Sequence, residues 1–152
     1  DISRITLAHL RSHLSVIPQQ TILFSGTLRY NLDPFNHYSD EECWQALGYV
    51  QMKSFVRNHP SGQQMQIDES GSNLSVGQCQ LLSIARAVLK KSKILLIDEA
   101  TANVDQKTDE LIQTLIHEKF SEHTAIIIAH RLNTVSRCDR ILVLDQGAIV
   151  QD

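Results

Sequence analysis

A chain of 152 residues, 42% hydrophobic and 20% charged, can bury a core as one compact domain or as a large piece of one. Its net charge of -3 supplies no basic field, which argues against a nucleic-acid partner. Three separated cysteines (Cys43, Cys79, Cys138) without a CxxC pair read as reduced structural thiols, and the scattered histidines give no zinc spacing. No basic region followed by an apolar stretch opens the chain, so a signal peptide is not expected. The apolar runs Ile94–Ile97 and Ala125–Ala129 are too short to cross a bilayer.

Leu7, Leu10 and Leu14 sit at helical spacing and predict a short opening helix, followed by an extended Leu14–Ile17 segment ended by Pro18. Ser39 and Glu42 match a capping box ahead of a helix through Trp44, Leu47 and Val50. Met52, Phe55 and Val56 suggest another short helix, stopped near Pro60-Ser61-Gly62, and the polar stretch 63–73 reads mainly as loop. Leu81, Leu82, Ala85, Val88 and Leu89 then mark a strong amphipathic helix ending in Lys90, Lys91 and Lys93. Ile94–Ile97 reads as a buried parallel strand, 107–120 as a helix, and Thr124–Ala129 and Ile141–Leu144 as further buried strands. The turn Asp145-Gln146-Gly147 leads to a last short strand. This alternation implies an α/β layered fold.

Several segments carry chemistry. Asp98 and Glu99 end an apolar strand, where open α/β sheets place their ligand sites; the pair is either a set of solvated acids or a catalytic one. In the second reading Asp98 serves Mg2+, a hard cation that wants carboxylate oxygen, and Glu99 polarises an attacking water. Ser75, ahead of Val76-Gly77-Gln78, is a good N-cap, and the amides behind it either simply start a helix or also suit a phosphate. His130 ends another apolar strand and is either an ordinary terminal side chain or a contact to a terminal phosphate. Gln19 after Pro18 is either a surface residue or an amide ligand to metal or water.

Taken in order, Pro18-Gln19, Leu74–Gln78, Ile94–Glu99, Ala102–Asp105 and His130 resemble the Q-loop, signature, Walker B, D-loop and H-loop of the ATP-binding-cassette nucleotide-binding domain. The resemblance covers nearly the whole chain. Leu23–Arg29, Asn31–Phe35, the Leu74-Ser75-Val76-Gly77-Gln78 form of the signature and the Glu after Asp98 are similar to the second cassette of multidrug-resistance-protein-like, C-subfamily transporters. A P-loop ends in Gly-Lys-Ser/Thr, and none of the six glycines here precedes lysine. The resemblance therefore implies a partial P-loop NTPase core: a parallel sheet plus a mostly α-helical subdomain, with the P-loop half missing. It divides the chain into 1–22 (end of the first core segment, with the Q-loop), 23–90 (helical subdomain ending in the signature helix) and 91–152 (C-terminal part of the core).

The resemblance further implies ATP and Mg2+ as ligands and an ATPase in the parent protein, with this chain alone inactive. Glu99 and His130 would be catalytic; Asp98 and Gln19 would serve Mg2+. Gln19, Ser75, Val76, Gly77, Gln78 and Asp105 would contact nucleotide. Cassettes of this family pair head to tail, so Ser75 and Gly77 would face ATP on a second cassette, while Glu99 and His130 would serve this cassette's own. Val76 stands where glycine is commoner, and Cys79 where a basic residue is commoner; both departures concern the partner's site. Glu69-Ser70-Gly71 resembles the segment that communicates with membrane helices. The implied parent is a multi-pass membrane exporter of organic, amphipathic or anionic substrates, with this domain on the cytoplasmic side. Alternatives on the same scaffold are an ATP-gated channel or channel regulator, and a truncated non-hydrolysing module. A soluble cassette ATPase of DNA repair or translation would carry a heptad coiled coil or a basic insertion between Q-loop and signature, and 20–73 has neither.

Overall fold

Thr6 accepts the His9 N–H and so caps α1 (Leu7–Ser12), after which the chain enters β1 (Leu14–Ile17). This is a computed structural model describing residues 1–101, 103–129, 132–136 and 138–151. Leu14 begins the strand and is no part of the helix that its spacing suggested. The chain continues through β2 (Gly26–Thr27), α2 (Leu28–Leu32), α3 (Asp40–Tyr49), α4 (Lys53–Asn58), β3 (Gln66–Ile67) and α5 (Val76–Lys90). Next come β4 (Ile94–Asp98), α6 (Gln106–Lys119), β5 (Thr124–Ile128), α7 (Leu132–Val135), β6 (Val143–Asp145) and β7 (Ala148–Gln151).

The expected α/β architecture is present. β1, β4 and β5 form a parallel sheet in the order β1-β4-β5, with Leu14 opposite Ile94 and Ile97 opposite Ile127. α6 makes the crossover between β4 and β5, as a parallel pair requires. α5 packs on β1 with one side and on α3 with the other, which explains why it buries Leu81, Leu82, Ile84, Ala85 and Leu89 around much of its girth. One core cluster runs from the sheet into the helical region and includes Ile17, Leu28, Leu47, Met52, Ile67, Leu95 and Ile112. Each such side chain contributes roughly 1.5–3 kcal/mol by leaving water.

The capping box before α3 forms as predicted: Ser39 Oγ accepts the Glu42 N–H, and the Glu42 carboxylate accepts the Ser39 N–H. That backbone bond is the main reason the Glu42 carboxyl is held below its ordinary range. The stretch expected to be mainly loop contains β3, which pairs antiparallel with β2, and Ile67 in it and Met65 just before it are buried. The last two apolar strands differ from expectation in burial. β5 is one of the two outer strands of the parallel sheet, and its Ile126 and Ile128 are each 57% exposed. β6 starts two residues later than expected and, among the described residues, pairs with β7 alone, across the turn at Gln146-Gly147; Val143 and Leu144 are exposed. Among the described residues no helix is long and apolar enough to cross a membrane.

Asn31 and Arg86 join the helical region to α5. Asn31 is 2% exposed; its Nδ2 donates to the Phe24 and Thr27 carbonyls and its Oδ1 accepts the Phe24 N–H. Arg86 donates to the Asn31 carbonyl, to Asn31 Oδ1 and to the Ile22 carbonyl. Burial of this guanidinium, bonded only to neutral oxygens in these contacts, lowers its pKa from the ordinary value. Because Asn31→Ala strands the Phe24 amide and removes one Arg86 acceptor, we expect it to destabilise the chain by about 2–4 kcal/mol. Urea unfolding checks this; an unchanged midpoint contradicts it.

Candidate functional site

The in-register pairing of β1 with β4 makes both strands stop at the same edge of the sheet, where the chain leaves as Pro18-Gln19 and as Asp98-Glu99. Carboxyl ends of parallel strands are the usual ligand edge of open α/β sheets. There Gln19 Nε2 donates to Glu99 Oε2 at 2.8 Å. Two residues 80 apart in the chain, each assigned to this site from the sequence, are thus hydrogen-bonded to each other. Asp98 is exposed beside them, and Glu99 is half-buried.

Glu99 adopts φ +41°, a left-handed conformation that an L residue with a side chain rarely takes. Its N–H donates to the Ile128 carbonyl at 3.1 Å, which fixes this unusual backbone against β5. Backbone strain of this kind persists where surrounding structure holds it, and clusters at functional sites. A cleft of about 160 Å3 adjoins Glu99, lined also by Ile97, Ala100, Gln113, Ile127 and Thr134. His130, expected at the end of the β5 strand, lies outside the described residues, as does Ala102, expected in the D-loop.

The remaining predicted residues gather at a second place, the joined N-termini of α5 and α6. Ser75 Oγ accepts the Gln78 N–H, and Gln78 Oε1 accepts the Ser75 N–H, so the Gln78 side chain is folded back into a capping box. Ser75 and Val76 are exposed, whereas Gly77 is buried. A Cβ on Gly77 would stand 2.8 Å from Thr108 Cγ2, so the glycine permits α5 to touch the first turn of α6. Asp105 caps α6: its carboxylate accepts the Thr108 hydroxyl at 2.7 Å and the Thr108 N–H at 3.1 Å. Those bonds, the hydroxyl's foremost, hold the Asp105 carboxyl below its ordinary range. Glu69-Ser70-Gly71 forms a 3-10 turn in which Glu69 and Ser70 are exposed and Gly71 is buried, with Ser70 at φ +58° and Gly71 at φ +72°.

Sequence reasoning missed Gln80, Arg86 and Thr108. Gln80 had a signal, for it occupies the apolar stripe of α5 beside Leu81 and Ile84, where an unpaired amide is costly. Thr108 had none, since its role depends on contact with a residue 31 positions earlier.

No described cluster of three or more His, Cys, Asp or Glu side chains could hold a metal ion by itself. The Asp98 carboxylate and the Oε1 atom of Gln19 do fit Mg2+ that arrives with phosphates, because that ion takes one or two protein oxygens and fills its octahedron with phosphate and water.

A family model described as "ABC transporter" matches residues 1–102. Over 151 residues the chain is 58% identical to mouse "ATP-binding cassette sub-family C member 2" and 52% identical to "Multidrug resistance protein mrp-7" of Caenorhabditis elegans. It is 54% identical over 147 residues to human "ATP-binding cassette sub-family C member 4". These alignments cover 97–99% of the chain but only 10–11% of the relatives, so the chain spans about a tenth of their length. Among solved structures, a bacterial Atm1-family ABC exporter with ATP bound superposes with a TM-score of 0.89 at 37% identity, over 99% of this chain and 27% of that one. Together the model match, the C-subfamily relatives and the shared fold show that the chain belongs to the ABC transporter family.

Proposed function

We propose that the chain is the C-terminal part of a nucleotide-binding domain, the second cassette of a C-subfamily exporter, in which ATP hydrolysis drives export of organic, amphipathic or anionic, substrates. In this reading residues 1–22 end the first core segment, 23–90 form the helical subdomain and 91–152 complete the core's C-terminal part. The domain works on the cytoplasmic side of a membrane, docked to transmembrane domains of the same parent protein and paired with another cassette. The observation that carries the reading is the Gln19–Glu99 hydrogen bond at the sheet's carboxyl edge.

Glu99 is the general base: its carboxylate accepts a hydrogen bond from the attacking water and takes its proton as the water adds to the γ-phosphate. Gln19 holds one oxygen of that carboxylate through Nε2 and so orients the base at the sheet edge. Asp98 and Gln19 Oε1 are the protein oxygens for Mg2+, which when bound neutralises charge on the phosphate oxygens. His130 keeps its expected part at the γ-phosphate. Ser75, Val76, Gly77 and Gln78 present the positive end of α5 to a nucleotide on the partner cassette, and Asp105 stands at the adjoining end of α6.

Since no glycine precedes lysine in these 152 residues, the phosphate cradle must come from elsewhere. The chain by itself is expected to bind MgATP weakly or not at all, and isothermal titration giving stoichiometric micromolar binding contradicts this. In the whole transporter, Glu99→Gln is expected to lower ATP turnover at least about 100-fold while ATP stays bound. Unchanged turnover removes Glu99 from its role.

A further inference from the structure

Gln80 is 3% exposed, a carboxamide in the middle of an apolar helix face. Both ends of the amide are committed to one short segment of the chain. Its Nε2 donates to the Gln19 carbonyl at 2.6 Å and to the Pro18 carbonyl at 3.3 Å, and its Oε1 accepts the Thr21 hydroxyl at 2.8 Å. The residue whose backbone it grips is the one whose side chain holds Glu99. We infer that Gln80 is a positioning residue that ties the location of Gln19 beside Glu99 to the location of the signature end of α5.

Three features make this a linkage and not merely a satisfied buried amide. First, the Pro18–Ile22 segment leaves the sheet at β1, and Arg86 on α5 holds its far end through the Ile22 carbonyl, so the segment follows α5 at two points. Second, Gln80 lies two residues beyond Gln78 of the capping box, within a continuous helix that transmits displacement as a rigid rod. Third, Gly77 meets Thr108 with no space for a Cβ, so the N-terminus of α5 cannot shift without disturbing the cap of α6. A partner nucleotide that pulls on Ser75 and Val76 therefore moves Gln80, and Gln80 moves the Gln19 backbone. A hydrogen-bonded path runs from the face offered to the partner's ATP to the carboxylate acting on this cassette's own ATP.

This inference rests on the reading of Gln19 and Glu99 given above. The test is a double-mutant cycle in the full-length transporter that carries this sequence, read by steady-state ATPase kinetics. Gln80→Met keeps the volume and removes the hydrogen bonds. It is expected to lower kcat about tenfold with the KM for MgATP within about twofold of the parent, and to change kcat less than about twofold when Gln19→Ala is already present. Should Gln80→Met fail to fold, judged by its melting temperature, Thr21→Val carries the same test. That variant removes only the hydroxyl that Gln80 accepts, and a loss of about threefold that vanishes in the Gln19→Ala background is expected. Losses that multiply fully in both backgrounds, a rise in KM alone, or an unchanged kcat overturn the inference. Glu99→Gln measured alongside separates the two levels. If Glu99→Gln abolishes turnover while the Gln80 and Gln19 effects multiply, the linkage fails and the site reading stands. If Glu99→Gln hydrolyses ATP normally, the site reading fails and takes the linkage with it.

Discussion

Four paired positions of β1 and β4, from Leu14↔Ile94 to Ile17↔Ile97, set the geometry on which everything else depends. Parallel strands in this register stop together, so residues 80 apart emerge side by side. The intervening chain forms the helical region and returns through α5, whose apolar sides pack against β1 and α3. Ser15 and Ser92 reinforce the closure with a buried hydroxyl pair at 2.9 Å, and Lys90 caps the turn before β1 by donating to the Arg11 carbonyl. A slip of β1 by one residue against β4 would turn Val16 inward in place of Ile17, and would part Gln19 from Glu99.

α5 carries two kinds of information along one helix. Its N-terminus presents Ser75 and Val76 to solvent and touches α6 through Gly77. Its middle grips the segment after β1 through Gln80, which is buried, and Arg86, and each grip uses several side-chain hydrogen bonds at once. Such groups specify one arrangement because sliding would leave amide or guanidinium donors unpaired. The helical region is fastened to the same helix, since Arg86 bonds Asn31 and Asn31 shapes the turn at Phe24. Arg29 adds a second lock there, bridging Asp33 and Asp40 and donating to the Tyr38 carbonyl. Against the burial that would raise it, the Tyr38 and His37 amides and the Arg29 guanidinium hold the Asp33 carboxyl below its ordinary range.

Local patterns made much of this legible. The capping box of Ser39 and Glu42, the apolar run Ile94–Ile97 and the stripe of α5 are short-range signals, and each marked its element closely. Ordered motifs brought out Gln19, Asp98 and Glu99, which the fold then brings to one edge of the sheet. What stayed hidden depends on distant partners. β2 and β3 are two residues each, and only their pairing across the chain makes them strands. Apolar composition at β5 and β6 predicted burial, yet burial is set by neighbours, and an outer strand and a separate two-stranded hairpin leave Ile128 and Leu144 exposed. Gly77 was assigned to a nucleotide from its motif, while its requirement for closeness to Thr108 needed coordinates.

The central claim is that these residues form the hydrolytic edge of an ATP-binding cassette whose phosphate cradle lies outside them. It is tested most directly by replacing the matching 151-residue stretch of the mouse relative with this chain and measuring MgATP turnover of the purified chimera. Turnover within about tenfold of the parent relative is the predicted result. A chimera that folds and binds ATP but does not hydrolyse it would contradict the account.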